Sequence, residues 1–406
     1  MNLKVNVTDR IYWLGANDRR KELFENLWPL PDGVSYNSYL IVDEKSALVD
    51  TIEMGSGGDY VGWIERLLAE QGRTELDYLV INHMEPDHSG EIGDIVRRWP
   101  EVRIVGNGKT FKILEGYYGI TENLIEVKDD DLLDLGHHKL KFVMTPWVHW
   151  PETMMTYDTT ERILFSGDAF GTFGTLDGAI FDDEIGSEFE ARYLGEMRRY
   201  YSNIVGKYSN MVQKAFAKLA GTEISTICPL HGPVWRSEPK KVIRLYDRWS
   251  RYEAEPGVVI IYGSMYGNNA ATADYIARRC AEAGIERIRV RDASKTHLSY
   301  LIDDVWRYRG VILGSCAYNA QMFPTVERLT TELLHMGVKN KALGLFGSYS
   351  WNGGGVKNLR VFAEAIGWPL VAEPVDVFGT PTPEKLAACD AIAQGMANAL
   401  KNCDVQ

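Results

Sequence analysis

The segment that most constrains this chain is His83–His88 (HMEPDH), which follows the apolar, β-prone run Leu76–Ile81 (LDYLVI). Four side chains with nitrogen or oxygen donors lie within these six residues, and Pro86 fixes one backbone φ among them. In an extended segment, alternate residues point to opposite sides. The pattern therefore predicts that the side chains of His83, Glu85 and Asp87 project to the same side of the segment. His88 is then directed to a second position. We expect this loop to contribute ligands to two metal ions.

Three further donors follow strands later in the chain. His149 comes after the predicted strand Lys139–Thr145, between two prolines. Asp168 follows the strand-like Arg162–Phe165 among small residues, and His231 follows the predicted strand Glu223–Ile227. A single histidine is more often a packed aromatic, and a single aspartate at a strand end is often a helix cap. Four imidazoles and three carboxylates at strand exits together predict a two-metal site.

The remainder of the first half alternates between strand and helix patterns, as in an α/β domain. Further strands are predicted at Ile11–Leu14, Asn37–Val42, Ala47–Asp50 and Val102–Val105, and helices at Asp59–Gln71, Glu91–Trp99 and Lys109–Tyr118. The histidines at 137 and 138 indicate a solvated turn, and no role is assigned to His297 or His335.

The second half begins after a charged segment, Asp247–Glu255, that we interpret as a linker ending at Pro256-Gly257. Val258–Tyr262 (VVIIY) is a continuous apolar run, as in the centre of a parallel sheet. It leads into small and polar residues and then a predicted helix, Ala270–Ala283. A strand, such a loop and a helix N-terminus form an anion site, because backbone N–H groups and the helix dipole face the anion. The alternative is a simple β-α turn.

Two later loops favour a ligand site over a simple turn. One follows the strand-like Gly310–Leu313 and the other follows Ala342–Phe346. Ligand loops of a doubly wound sheet lie at its carboxyl edge, and Tyr318 and Trp351 in these loops suit a flat heterocycle. The GxGxxG fingerprint of dinucleotide sites is absent from the first strand–helix turn.

Charge and composition exclude several classes of protein. The formal net charge of -12 disfavours a nucleic-acid partner. No run is apolar enough to cross a membrane and no export signal is evident at Met1, so we expect a cytoplasmic protein. The cysteines lack CxxC spacing, so neither a disulfide framework, nor a zinc-thiolate site, nor a fused rubredoxin is expected. They are Cys228, Cys280, Cys316, Cys389 and Cys403.

The HxExDH segment with its distant His, Asp and His resembles the metallo-β-lactamase superfamily, an αββα sandwich with metals at the sheet edges. Most hydrolases of that superfamily carry a histidine where this chain has Glu85. A mixed histidine and carboxylate set suits iron, whereas an imidazole-rich set suits zinc. The second half, with Ser-x-Tyr-Gly-Asn-Asn at Ser264–Asn269, resembles flavodoxin, which binds FMN. It departs from the flavodoxin pattern at Tyr266 and Asn269.

The two halves in this order resemble the flavodiiron protein family, also called A-type flavoproteins. Three further stretches match: Trp147–Pro151, Phe165–Phe170 and Leu230–Trp235. The resemblance implies an α/β chain with an N-terminal αββα metallo-β-lactamase-like sandwich followed by a C-terminal flavodoxin-like doubly wound parallel sheet. The expected domains are residues 1–252, which hold the diiron site, and 257–406, which bind FMN.

The resemblance also implies the role of each site residue. One iron would be held by His83, Glu85 and His149, and the other by Asp87, His88 and His231, with Asp168 as the bridge. In some members water replaces the residue that matches His88. The expected FMN-binding residues are Ser264, Met265, Tyr266, Gly267, Asn268, Asn269, Ser315, Cys316, Ala317, Tyr318, Asn319, Ser348, Tyr349, Ser350, Trp351, Asn352 and Gly353.

The activity that the resemblance implies is reduction of O₂ to water, of NO to N₂O, or both, at a non-haem diiron site with electrons relayed by FMN. This would protect an anaerobe from oxygen and nitric oxide. Tyr200 and Tyr201 are candidate proton donors. The expected electron donor is a separate rubredoxin or reduced coenzyme F420, and the expected assembly is a head-to-tail homodimer or a dimer of dimers.

Two other functions stay open from the sequence. One is a zinc-dependent hydrolase of the metallo-β-lactamase superfamily with an appended flavin domain. The other is an electron carrier or scaffold in which the lactamase fold is vestigial. Glu85 and Asp168 favour iron over the first alternative, and the complete donor set disfavours the second.

Overall fold

The computed structural model describes residues 5–186 and 192–401, and the chain divides into two compact units. Unit 1 comprises Met1–Asp247 and unit 2 comprises Arg248–Gln406. The domain limits expected from the sequence, 1–252 and 257–406, stay a prediction. Within the described residues, no helix is both long enough and apolar enough to cross a membrane.

Unit 1 contains sixteen described strands, most of them short. They are β1 (Val5–Asn6), β2 (Ile11–Trp13), β3 (Ala16–Asp18), β4 (Leu23–Phe24), β5 (Trp28–Pro29), β6 (Val34–Tyr36), β7 (Tyr39–Val42), β8 (Ser46–Val49), β9 (Tyr78–Val80), β10 (Arg103–Gly106), β11 (Leu124–Glu126), β12 (Leu132–Asp134), β13 (Lys139–Met144), β14 (Met154–Asp158), β15 (Ile163–Phe165) and β16 (Thr226–Cys228).

Helices lie between these strands. They are α1 (Tyr60–Glu70), α2 (Pro86–Ser89), α3 (Ile92–Arg98), α4 (Gly108–Tyr118), α5 (Asp182–Ile185), α6 (Leu194–Tyr200), α7 (Ser209–Leu219) and α8 (Pro239–Ser250). A π-helical turn, Tyr201–Val205, and a 3₁₀ turn, Gly206–Tyr208, connect α6 to α7. The boundary between the two units falls within α8.

The strands of unit 1 form two main sheets. One has seven strands in the order β1-β2-β7-β8-β9-β10-β11, and the other has five in the order β12-β13-β14-β15-β16. Every residue of β7, β8, β9, β14 and β15 is buried, so these strands are covered on both faces. The ring centroids of Tyr39 and Phe165 lie 5.3 Å apart, which joins the two sheets. This arrangement is the expected αββα sandwich.

The topology brings the donor loops to one edge. β13 and β15 both pair antiparallel with β14, and β16 pairs parallel with β15. The carboxyl ends of β13, β15 and β16 therefore lie at the same edge of their sheet. Asn82, just after β9, accepts a hydrogen bond on its carbonyl from Met154 N (3.0 Å) and one on its side chain from Thr156 Oγ1 (2.7 Å). These bonds fix the loop after β9 beside the second sheet.

Unit 2 is a parallel five-stranded sheet with helices between its strands. Its strands are β17 (Glu255–Gly263), β18 (Ile288–Asp292), β19 (Tyr308–Cys316), β20 (Ala342–Tyr349) and β21 (Val375–Phe378). Its helices are α9 (Asn268–Glu282), α10 (Leu298–Arg307), α11 (Pro324–Met336), α12 (Gly355–Ile366), α13 (Pro383–Leu386) and α14 (Asp390–Lys401), with a 3₁₀ turn at Ala387–Cys389. The strand order β18-β17-β19-β20-β21 is the flavodoxin order, so the expected fold of this half is confirmed.

Most predicted elements agree with the structure to within about three residues, but two segments differ. The first is the loop after β9, which is extended only as far as Glu85 and then becomes α2, with Pro86 as its first residue. The second is the predicted linker. Helix α8 runs through Ser250, and β17 already begins at Glu255 with a register irregularity before Val258. Residues 247–250 of the predicted linker therefore belong to α8, because the charged residues of an amphipathic helix resemble those of a linker, whereas residues 251–254 lie between the two elements.

Candidate metal centre and cofactor site

The loop after β9 turns from extended to helical at the proline. Glu85 has φ -58° and ψ 140°, so it caps α2 in an extended conformation, and Pro86 begins the helix. Proline suits this position because its φ is already helical and the first N–H of a helix needs no partner inside it. Strict alternation of side chains stops there. The prediction that Asp87 projects with His83 and Glu85 is therefore wrong.

The seven predicted donors converge in two groups. One ligand atom from each of His83, Glu85, His149 and Asp168 lies within 4.8 Å of the others, and the same holds for the group of Asp87, His88 and His231. All seven residues are buried, and none is more than 7% exposed. Asp87 belongs with His88 because both lie on the single turn of α2.

Asp168 lies between the two groups and directs one carboxylate oxygen to each. Its Oδ2 is 3.0 Å from His149 Nε2 and 3.6 Å from His83 Nε2. Its Oδ1 is 3.0 Å from His88 Nε2 and 3.7 Å from His231 Nε2. A carboxylate in this position can bridge two cations.

The separations between donors match those around a bound metal ion. His149 Nε2 lies 3.1 Å from Glu85 Oε2, and His231 Nε2 lies 3.4 Å from Asp87 Oδ2. Two donors at about 2.1 Å from one ion, at right or tetrahedral angles, lie about 3.0–3.4 Å apart. His88 and His231 also face each other through their Nε2 atoms at 3.0 Å, which requires a shared proton or a shared cation.

Hydrogen bonds behind two of the imidazoles fix which nitrogen faces the site. His83 Nδ1 donates to Glu152 Oε1 at 2.8 Å, and His231 Nδ1 donates to the carbonyl of Ser35 at 2.7 Å. With Nδ1 carrying the proton, Nε2 presents its lone pair to the centre. Such carboxylate and carbonyl partners are typical of metal-ligating histidines. Glu152 also accepts from Met84 N at 3.0 Å, so its carboxylate is held at two points.

Several buried polar atoms at the centre have no hydrogen-bond partner within residues 5–186 and 192–401. Both carboxylate oxygens of Asp87 and the Nδ1 of His88 are in this state. Because a buried carboxylate without a partner is costly, the Asp87 oxygens fit a site that a cation completes. His88 lacks the rear hydrogen bond that His83 and His231 have, so it is the least anchored of these imidazoles.

The pKa values of His149 and Asp168 show that these two donors stabilise each other's charged form. Burial alone lowers the pKa of His149, but its bonds to Asp168 and Glu85 raise it to about 9. Burial alone raises the pKa of Asp168, but the imidazoles of His88 and His149 hold that pKa well below its ordinary value. Burial, and then the charge of Glu85, raise the pKa of Asp87 well above its ordinary value. Without metal, protonated imidazoles therefore balance the charge of Asp168, whereas Asp87 keeps its own proton.

The donor set suits iron. Each group offers two imidazoles and one carboxylate of its own, in addition to the shared Asp168. With Asp168 shared, each ion would have two imidazoles and two carboxylates, and a set this rich in carboxylate suits non-haem iron, whereas zinc sites are richer in imidazole or thiolate. The residues present therefore fit a pair of iron ions.

Aromatic side chains enclose the centre on the side of His231. The rings of Phe24, Tyr36 and Tyr200 lie 5.3, 5.8 and 5.5 Å from the His231 ring, and all three are buried. The hydroxyl of Tyr200 has no hydrogen-bond partner in the described part of the chain. Tyr201, the other predicted proton donor, lies within 2.9 Å of Ser209 Oγ through its hydroxyl.

The predicted flavin loops of unit 2 surround one open cavity of about 370 Å³. Its lining is Ser264, Met265, Tyr266, Asn268, Cys316, Ala317, Tyr318, Asn319, Ala320, Ser348, Tyr349, Ser350, Trp351 and Asn352. Two of its rings are almost wholly in solvent, since Tyr266 is 91% exposed and Trp351 is 89% exposed. Rings so exposed on facing loops fit a site that a flat ligand covers.

Helix α9 begins at the same cavity. Gly267 precedes the helix with φ 93°, and its N–H donates to Ser264 Oγ at 3.1 Å. The first N–H groups of a helix have no partner inside it, so this end suits a phosphate. The residues present therefore fit FMN, with its phosphate at the helix and its ring between the loops.

Four of the predicted flavin residues do not line the cavity: Gly267, Asn269, Ser315 and Gly353. Asn269 is buried and donates to the carbonyl of Gly263 at 2.9 Å. Ser315 is also buried and accepts from Phe323 N at 2.8 Å. These two side chains support the loops from behind.

Sequence reasoning missed several residues that hold the site. Ala320 lines the flavin cavity, and Glu152 and Ser35 orient imidazoles. Glu152 lies three residues after His149, so a carboxylate near a predicted ligand was an available signal. The contact of Ser35 uses its backbone carbonyl, and no side-chain pattern reports that. His138, predicted in a solvated turn, is instead buried.

Comparison with known proteins agrees with this geometry. Residues 34–232 match the family model of the ODP family beta lactamase. The chain is 32% identical over 365 residues to an anaerobic nitric oxide reductase flavorubredoxin from Pectobacterium carotovorum subsp. carotovorum. The aligned region covers 88% of this chain and 71% of that protein.

Two solved structures share the fold over almost the whole chain. The rubredoxin oxygen:oxidoreductase of Desulfovibrio gigas has a TM-score of 0.92 and 28% identity, with all of both chains covered. The flavodiiron protein of Giardia intestinalis has a TM-score of 0.91 over 99% of this chain and 98% of that one, and at 23% identity it supports the fold alone.

Flavodiiron relatives carry a diiron centre and FMN, and the histidine and carboxylate groups of this chain could bind the metals. The match to the flavorubredoxin covers more than two thirds of that protein at over 30% identity. The chain therefore belongs to the flavodiiron family of A-type flavoproteins and is an oxidoreductase of the flavodiiron type.

Proposed function

We propose that this protein reduces nitric oxide to N₂O, dioxygen to water, or both, at a pair of non-haem iron ions that FMN supplies with electrons. The observation that carries the proposal is the placement of Asp168 between two groups of buried donors, with one oxygen toward each. The names of the relatives support both substrates, since one is a nitric oxide reductase and another an oxygen oxidoreductase.

We assign the seven donors as metal ligands. His83, Glu85 and His149 hold one ion, Asp87, His88 and His231 hold the other, and Asp168 bridges them. A pair of ferrous ions bound there would provide the electrons for the reduction, with FMN as their source. Glu152 and Ser35 keep the Nε2 atoms of His83 and His231 directed inward.

Residues around the ligands control water and protons. Phe24, Tyr36 and Tyr200 pack around His231 and restrict water on that side. The reductions consume protons, and the hydroxyl of Tyr200 is a buried group that can hold one at its Oη. Burial raises the pKa of Tyr200 well above its ordinary value, and the charge of Asp168 adds to this, so the hydroxyl stays protonated.

In unit 2 we assign FMN to the cavity at the start of α9. Ser264–Asn268 would hold the phosphate, and the loops with Tyr318 and Trp351 would hold the ring. The exposed rings of Tyr266 and Trp351 would be covered by the bound cofactor.

The proposal includes partners and setting. The electron donor is a rubredoxin-type protein, as the name of the Desulfovibrio gigas relative indicates for that protein, with reduced coenzyme F420 as the alternative. A head-to-tail homodimer would place the FMN of one chain at the iron pair of the other. The activity would protect an anaerobic cell from nitric oxide and oxygen.

The competing function is a zinc-dependent hydrolase with an appended flavin domain. Glu85 disfavours it, because its carboxylate stands 3.1 Å from His149 Nε2, where an imidazole-rich zinc site would have a further histidine.

Gas consumption tests the proposal. Protein purified without oxygen is supplied with reduced rubredoxin or reduced F420, and the loss of NO and of O₂ is followed separately with electrodes. We expect catalytic consumption of at least one gas. The proposal would be contradicted if protein loaded with iron and FMN consumed neither NO nor O₂ with either electron donor.

A further inference from the structure

A second cluster of metal-type donors lies on two neighbouring turns of the five-stranded sheet, apart from the seven donors of the iron centre. The turn between β12 and β13 contributes His137 and His138, and the turn between β14 and β15 contributes Glu161. One ligand atom from each of the three lies within 4.8 Å of the others. No role in the proposed reaction uses these residues.

Backbone hydrogen bonds fix the two turns against each other. Thr159 N donates to the carbonyl of Lys139 at 3.0 Å, and Thr160 Oγ1 donates to the carbonyl of His137 at 2.8 Å. Within the first turn, Leu135 N donates to the carbonyl of His138 at 3.0 Å. The three side chains therefore start from a rigid frame, and only their rotamers have to adjust.

His138 is the anchor of the cluster. Its side chain is buried, and its Nδ1 donates to Asp158 Oδ2 at 2.8 Å. Its Nε2 points to Glu161, with 3.9 Å to Oε1, and has no hydrogen-bond partner in the part of the chain that the structure describes. A carboxylate behind one ring nitrogen and a free second nitrogen are the arrangement of a metal-ligating histidine.

We propose that His137, His138 and Glu161 form a third metal site, which takes a single divalent transition metal ion of the zinc class. Two imidazoles and one carboxylate match the donors that Zn²⁺ prefers, and solvent can supply the fourth position. His137 is exposed, so its ring can rotate to bring a ring nitrogen to an ion held by His138 and Glu161. The site would tie the two turns together.

The alternative is a purely structural ion cluster. Burial alone lowers the pKa of His138, but the bond to Asp158 and the charges of Asp158, Glu161 and Asp43 raise it. Asp43 is itself engaged, because it accepts from His138 N at 2.7 Å and pairs with Arg10 at 2.6 Å. The neighbouring carboxylates would stabilise a protonated His138 without metal. Zinc can therefore bind its Nε2 only by displacing the proton there.

Zinc titration of the iron- and FMN-loaded protein separates these possibilities. We expect the wild type to bind one Zn²⁺ per chain by calorimetry, with no iron released, and to gain thermal stability as zinc is added. His137→Ala and Glu161→Gln should each weaken zinc binding at least about tenfold. Neither change removes a buried group, so both variants should fold.

His335→Ala is the matched control, since His335 is also exposed and lies 4.0 Å from a carboxylate, that of Glu332, without a buried imidazole beside it. This variant should bind zinc as the wild type does. The proposal is overturned if the wild type binds no zinc, if zinc uptake is matched by iron release, or if His137→Ala and Glu161→Gln bind zinc unchanged.

Discussion

The metal centre and the flavin cavity are built in opposite ways. The seven candidate donors are buried on loops and on the short helix α2, and at least two of the imidazoles are oriented from behind by hydrogen bonds. The flavin loops instead leave Tyr266 and Trp351 almost fully in solvent. A buried set of opposite charges is fixed before the ligand arrives, whereas an open cavity depends on the ligand to cover it. Single substitutions at the metal centre should therefore weaken iron binding more than single substitutions at the flavin cavity weaken FMN binding.

The largest effect should come from Asp168→Ala, which removes both oxygens that face the two groups. We expect the iron content to fall from two per chain and gas reduction to drop by at least about 100-fold, because loss of a ligand exceeds the 10–100-fold effect of its supporting partners. FMN content, measured by absorbance, should not change. A variant that keeps both irons and full activity would refute the bridging role.

A smaller loss is expected from Glu152→Gln, which leaves the size of the side chain but weakens the acceptor for His83 Nδ1. Iron affinity should fall about 10–100-fold in a competition with a chelator. Glu115→Gln, on the exposed face of α4, is the control and should bind iron normally. Equal affinities in the two variants would mean that the rear hydrogen bond does not prepare the centre.

A third test compares how the two units bury charge. In the metal centre, carboxylates face imidazoles, but Lys341 of unit 2 is buried with its ammonium donating to the carbonyls of Trp306 (3.1 Å) and Tyr308 (2.8 Å). Burial, and then the charge of Arg309, lower its pKa from 10.5 to about 7. Between these pH values the unfolded chain carries the extra proton, so the free energy of unfolding should rise with pH.

The slope from Lys341 should be at most about 1.4 kcal/mol per pH unit. Lys341→Met should remove this rise in a series of urea titrations between pH 7 and 10. The exposed neighbour Lys339 provides the control, and Lys339→Met should keep the wild-type slope. Identical slopes in all three proteins would show that folding does not lower the pKa of Lys341.

The smallest effect should come from Trp351→Ala at the flavin cavity. An aromatic contact contributes about 0.5–1.5 kcal/mol, so FMN should bind roughly two- to tenfold more weakly in a fluorescence titration, with iron content unchanged. Tyr117→Ala removes another exposed ring, in unit 1, and should leave FMN binding as it is. A loss of more than about 100-fold would mean that the cavity is as dependent on single side chains as the metal centre.

Much of this architecture could be predicted because each donor follows an apolar strand. His149, Asp168 and His231 all stand just past strands whose carboxyl ends share one edge. The parallel sheet of unit 2 was also predictable, since Val258–Tyr262 and the later apolar runs are buried throughout, apart from the half-buried Tyr262.

The remainder depends on contacts that no local pattern carries. Pro86 suits a stiff loop and the first turn of a helix equally, and only the helix places Asp87 beside His88. Glu152 meets His83 across 69 positions of sequence. His138 is buried because a second turn packs over it, which its neighbours in sequence do not reveal. Helix α8 was not predicted, and the charged residues at its end resemble a linker.

The metal content of protein purified without oxygen tests the central claim most directly. Elemental analysis of the wild type should give two irons and one FMN per chain, and Asp168→Ala should lose iron without losing FMN. Zinc at the seven donors in place of iron, or iron retained in full by Asp168→Ala, would contradict the account.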